Sequence, residues 1–88
     1  MKIKKGFVLR NVGGECVVVP VGEMGKKFHG MITLNSTGEF LWKFFQASHS
    51  INEAVVALLS EYNVEDAVAR ADVERFVKIL IENRFMEE

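Results

Sequence analysis

Eighty-eight residues with 49% hydrophobic side chains supply one modest core, leave no room for a second domain and argue against disorder. The formal net charge of −1 gives no general attraction to nucleic acid or anionic membrane. The charge is uneven along the chain: residues 1–47 hold seven Lys/Arg against three Glu, and residues 48–88 hold four against nine Asp/Glu. That distribution suits either ordinary solvated surface or a molecule basic on one side and acidic on the other.

The opening MKIKKGFVL has too short an apolar run for a signal peptide, and no later run approaches the ~20 apolar residues of a membrane span. A single cysteine, Cys16, cannot form an internal disulfide, which fits a reducing compartment. A cytoplasmic protein without membrane contact is the expectation. Cys16 lies among valines, so a packed thiol is expected there and not a nucleophile.

In chain order, the first third reads as β. FVLRNV and ECVVVPV flank Gly13-Gly14, which predicts a hairpin of strands 7–12 and 15–21. Pro20 has no N–H to donate and is expected at a strand end or an edge. GEMGKK, residues 22–27, reads as a polar loop. A third strand is expected over residues 30–34, with Ile32 and Leu34 on one face and Met31 and Thr33 on the other. Three short strands are marginal alone, so helices must cover them.

From Asn35 the apolar period changes from two to about 3.6. A first helix over 36–47 can be capped by Asn35 or Ser36, with Glu39 placed to close a capping box with Ser36. Leu41, Phe44 and Phe45 form its buried stripe, flanked by Phe40 and Trp42. A second helix over 51–62 opens on the Ser50–Glu53 capping box and buries Ile51, Ala54, Val55, Leu58, Leu59 and Tyr62; Asn63 ends it. A third helix over 65–83 turns Ala69, Val73, Phe76, Val77 and Leu80 inward. Val68, Asp72, Arg75 and Ile79 fall together on an adjoining strip, an odd mixture for a core and a plausible groove rim. Asn83 is expected to take the left-handed conformation that ends this helix, with Phe85 folding back as an anchor. The order predicts an α+β fold: a three-stranded antiparallel sheet followed by three helices, similar to a winged helix-turn-helix.

Catalytic constellations are missing from the pattern. His29 and His49 stand alone, one cysteine makes no zinc site, and neither a P-loop nor a dinucleotide-binding fingerprint occurs. No enzyme activity, metal or cofactor is expected. A winged helix is also a DNA-reading scaffold, so a DNA-binding or protein-interaction regulator is the alternative reading. Against DNA, the third helix sets Glu65, Asp66, Asp72, Glu74 and Glu82 beside Arg70, Arg75 and Lys78, and phosphates would be repelled.

Three segments resemble the pyrroloquinoline quinone biosynthesis protein D family. Leu34, Asn35, Thr37, Gly38, Phe40, Leu41 and Trp42 match its strand-to-helix junction. Leu58, Leu59, Glu61 and Tyr62 match its middle helix, and Ala71, Asp72, Val73 and Phe76 its last helix. The likeness runs in register over about residues 5–85. It departs at the end of the last helix, where the family commonly has Gly followed by leucines and this chain has Asn83, Arg84 and Phe85.

The resemblance implies a RiPP recognition element, a non-catalytic domain that binds the leader of a ribosomally made precursor peptide. Such domains present the leader to a modifying enzyme, often of the radical SAM type. It further implies that the leader adds as a strand beside Met31, Ile32, Thr33 and Leu34 and lies against Val68, Asp72, Arg75 and Ile79. Asp72 and Arg75 could each pair with a leader charge, or with each other. Ile32 and Leu34 could equally face the core and contribute only backbone. An exposed strand edge also allows a homodimer.

Overall fold

Two consecutive glycines set the first hairpin. In the computed structural model, which describes residues 1–27 and 32–87, Gly13 and Gly14 both have positive φ (59° and 83°). A type I′ turn requires this at both central positions, and its twist matches that of the flanking strands. It joins β2 (Phe7–Val12) to β3 (Glu15–Pro20) in unbroken register from Val12↔Glu15 to Phe7↔Pro20. On the other side of β3 lies β4 (Ile32–Leu34), antiparallel, with Val17↔Thr33 at its centre. The sheet order is β2-β3-β4, so β4 is an edge strand. Gly30 and Met31, the predicted start of this strand, lie outside the described residues.

The helices pack on one face of this sheet. α2 (Ser36–Phe44) starts directly after β4 and buries Leu41 and Trp42, with Phe45 just beyond its end. α3 (Ile51–Glu61) contributes Ala54, Val55 and Leu58, and α4 (Asp66–Glu82) contributes Ala69, Val73, Val77 and Leu80. Phe7 and Val18 complete the core from the sheet side. Phe85 meets Phe7 edge-on at 4.7 Å and Trp42 at 5.9 Å between ring centroids. Edge-to-face contact of this kind adds roughly 0.5–1.5 kcal/mol per pair beyond burial.

Three elements escape the sequence periodicity. β1 (Lys2–Ile3) pairs antiparallel with β5 (Met86–Glu87), tying the two ends of the described chain into a separate ribbon. The predicted polar loop at 22–27 contains a single helical turn, α1 (Met24–Lys27).

Helix ends correct the sequence reading in two places and agree with it in one. Ser50 and Glu53 form the expected capping box, with Glu53 N–H donating to Ser50 Oγ at 3.1 Å and Ser50 N–H to Glu53 Oε1 at 2.8 Å. At α2 the cap is Asn35, whose Oδ1 accepts from Gly38 N–H at 2.8 Å. Gly38 thus occupies the third helical position, and Glu39, three residues after Ser36 but four after the actual cap Asn35, lies one residue too far on to close a box. Glu39 instead bonds Lys43 at 2.8 Å. At the end of α4, Asn83 is not left-handed (φ −93°); Arg84 is (φ 63°). Phe85 N–H donates to Leu80 O and Arg84 N–H to Ile81 O, the paired bonds of a Schellman motif, with a side chain where glycine costs least.

Candidate functional site

The free edge of β4 follows from the hairpin. In an antiparallel ladder the N–H and C=O of one residue point to the same side, and successive residues alternate sides. The turn bond at Val12–Glu15 therefore directs Glu15, Val17 and Val19 toward β2. Val21, two residues further in the same phase, donates to Gly6 O at 2.8 Å. Cys16 and Val18 must then bond β4, through their partners Leu34 and Ile32. Thr33, between them, directs its N–H and C=O away from the sheet.

Beyond that edge runs α4. The space between is a groove of about 490 Å³, within the ~300–1,000 Å³ range of ligand clefts. Ile32, Thr33 and Leu34 form one wall; Asp72, Arg75, Phe76, Ile79 and Leu80 form the other. Asn35, Thr37, Gly38 and Leu41 close the end at the start of α2. Gly38 makes that end compact: a Cβ there would lie 3.2 Å from Asn35 Oδ1 and 3.4 Å from Leu34 Cβ, tighter than ordinary packing. The glycine lets α2 start close against β4.

Polar groups sit at the rim. Arg75 Nη1 lies 3.3 Å from Asp72 Oδ1, and both side chains are substantially exposed, so the pair contributes little to stability. A ligand charge would have to displace one partner from the other. A second hollow adjoins the hairpin end of β4 and shares Thr33, Leu34 and Asn35 with the groove; Cys16 and Glu39 also line it. Burial, and then the Glu39 carboxylate, push the Cys16 thiol upward, which disfavours the nucleophilic thiolate. The Glu39 carboxyl is itself held below the usual carboxylate range by its hydrogen bond from Lys43. Among the described residues no group of three or more His, Cys, Asp or Glu could hold a metal ion, and no helix is long and apolar enough to cross a membrane.

Residues 9–86 match the family model described as coenzyme PQQ synthesis protein D (PqqD). The chain belongs to the PqqD family. A solved structure described as TbiB1 in complex with the TbiA(beta) leader peptide has the same fold, at a TM-score of 0.74 and 22% identity. The alignment covers 99% of this chain and 95% of that one. A comparison with curated proteins finds no match.

Of the positions that the family resemblance marks out, Ile32, Thr33, Leu34, Asp72, Arg75 and Ile79 come together around the groove. Met31 lies outside the described residues. Val68 shares the helical strip but does not line the groove; it is 48% exposed, one turn before Asp72. The strip continues along α4 beyond the stretch that faces the described β4 residues, Ile32–Leu34.

Phe76, read from the sequence as core, is half-buried and lines the groove. At about 100° per residue it lies only about 40° from Asp72, between strip and core, so the same helical wheel carried the signal. Leu41 and Leu80 show no such signal, being fully buried core residues that also line the groove.

Proposed function

We propose that this PqqD-family protein is a non-catalytic recognition domain of the cytoplasm. It binds the leader segment of a ribosomally made precursor peptide by strand addition to β4 and presents it to a modifying enzyme of the radical SAM type. The observation that carries the reading is the outward-facing N–H and C=O of Thr33 beside an apolar groove on α4. An extended peptide satisfies both groups and covers Ile79 and Phe76 in one docking event. The fold shared with a leader-peptide complex supports it, and so does family membership. Asp72 and Arg75 at the rim act on register more than on affinity.

The test is a titration with the leader segment of the precursor encoded beside this gene, followed by amide chemical shifts. Shifts are expected at residues 32–34 and along Asp72–Leu80. Saturating leader without shifts in either segment overturns the reading. Thr33→Pro provides a second arm. It removes an N–H that faces away from β3, so the sheet is expected to persist, while the leader loses one hydrogen bond and one carbonyl goes unsatisfied. That costs about 1–3 kcal/mol, or roughly 5- to 150-fold in affinity.

A further inference from the structure

We infer that the free edge of β2, on the far side of the sheet from the groove, docks a strand of a second protein with the pattern apolar–any–acidic–any–apolar. This goes beyond the reading of the groove and does not depend on it.

β2 is the other outer strand of the sheet. Glu15, Val17 and Val19 bond it through their partners Val12, Arg10 and Val8. Leu9 and Asn11, in the opposite phase, direct their N–H and C=O away from β3. Among the described residues these main-chain groups have no partner. Two such residues offer twice the backbone bonds that Thr33 offers alone. Little blunts this edge: the register with β3 is unbroken, and the strand holds neither proline nor lysine, all common devices against strand addition.

The side chains decide what can pair there. Leu9 packs toward the core, so Val8, Arg10 and Val12 project from the face away from the helices. Toward an added antiparallel strand these three occupy the non-hydrogen-bonded sites, where opposed side chains approach most closely. Val12 is 56% exposed. Arg10 is exposed and forms no ion pair among the described residues. A second copy of the chain fits this edge poorly. Self-pairing about Leu9 or Asn11 sets Arg10 against a valine, and self-pairing about Arg10 sets two arginines face to face. A strand with a carboxylate opposite Arg10 and apolar side chains opposite Val8 and Val12 complements all three. Such a partner leaves the groove open, because β3 and β4 lie between.

The test titrates the whole protein with the capped peptides Val-Thr-Glu-Thr-Val and Val-Thr-Lys-Thr-Val at up to millimolar concentration, followed by amide shifts. The glutamate peptide is expected to shift Leu9, Arg10 and Asn11 and to leave Thr33 unchanged. Replacing the opposite charge by a like one is expected to weaken binding about 2- to 30-fold. Arg10→Glu, an exposed substitution that keeps the fold, is expected to reverse the preference by a similar factor. The two threonines lie opposite Leu9 and Asn11. N-methylation of both should abolish binding, whereas methylation of the glutamate, whose N–H points away from β2, should change it less than about threefold. Shifts at β4 in place of β2, equal binding of the two peptides, an unreversed preference in Arg10→Glu, or no shifts at all would each overturn the inference. Sedimentation of the peptide-free protein is expected to show a monomer. A dimer that Asn11→Pro dissolves would place a second copy on this edge and overturn it as well.

Discussion

Ile79→Ser separates the groove from the fold because a matched control lies on the same helix. Ile79 is 45% exposed and lines the groove; Ile81 is 56% exposed and lies about 200° further round α4. Full burial of such a side chain is worth about 1.5–3 kcal/mol. A peptide that covers the exposed part of Ile79 gains about 0.7–1.3 kcal/mol from it, so Ile79→Ser is expected to weaken binding about 3- to 10-fold. The already buried part, about 0.8–1.7 kcal/mol, is lost from the fold. Ile81→Ser removes a similar part, about 0.7–1.3 kcal/mol, and serine and isoleucine have similar helix propensity. Both variants should therefore melt several degrees lower, at about 4–8 °C per kcal/mol in a domain of this size. Only Ile79→Ser should raise the Kd in calorimetric titration of the leader. Equal weakening by both variants, or none by Ile79→Ser in a folded protein, would refute the placement of the ligand between β4 and α4.

Two further predictions concern the fold. Arg84 holds a left-handed conformation that costs a non-glycine residue about 1–2 kcal/mol. After the entropy that glycine adds to the unfolded chain, Arg84→Gly is expected to stabilise by about 0.5–1 kcal/mol, read as a higher melting temperature; a lower one contradicts the Schellman assignment. The hydrogen bond from Ser50 N–H holds the Glu53 carboxyl below its ordinary value of 4.5. A depressed folded-state value means that stability from this charge is complete above the ordinary value and lost as pH falls through the folded one. Wild type should therefore exceed Glu53→Gln in melting temperature near neutral pH and converge with it as pH falls through the lowered folded-state value; a gap that persists in strong acid contradicts the charged capping box.

Local patterns carried most of the architecture. The Gly13-Gly14 pair determines the hairpin because both turn positions need positive φ, and the Ser50–Glu53 spacing determines the start of α3 because a capping box closes over three residues. The change of apolar period at Asn35 marks the boundary between sheet and helices. Features that depend on distant partners were illegible. Lys2–Ile3 and Met86–Glu87 are two-residue strands at opposite ends of the chain, too short for any period. Arg84 carries no left-handed preference of its own; it takes that conformation because Phe85 must reach Phe7 and Trp42. The helical wheel put Val68 with Asp72 and Ile79, since it knows the face of α4 but not what stands opposite each of its turns. Phe76 was missed for the converse reason: its ring is large enough to pack on the core and line the groove at once.

The central claim is that Thr33 presents an unused pair of backbone groups which a leader peptide completes. Amide hydrogen exchange at that one residue tests it most directly. In the free protein Thr33 is expected to exchange faster than Ile32 and Leu34, whose N–H groups bond β3, and saturating leader should slow it at least about tenfold while changing its neighbours less. A Thr33 amide already as protected as its neighbours, or one whose exchange stays the same under saturating leader, would contradict the account.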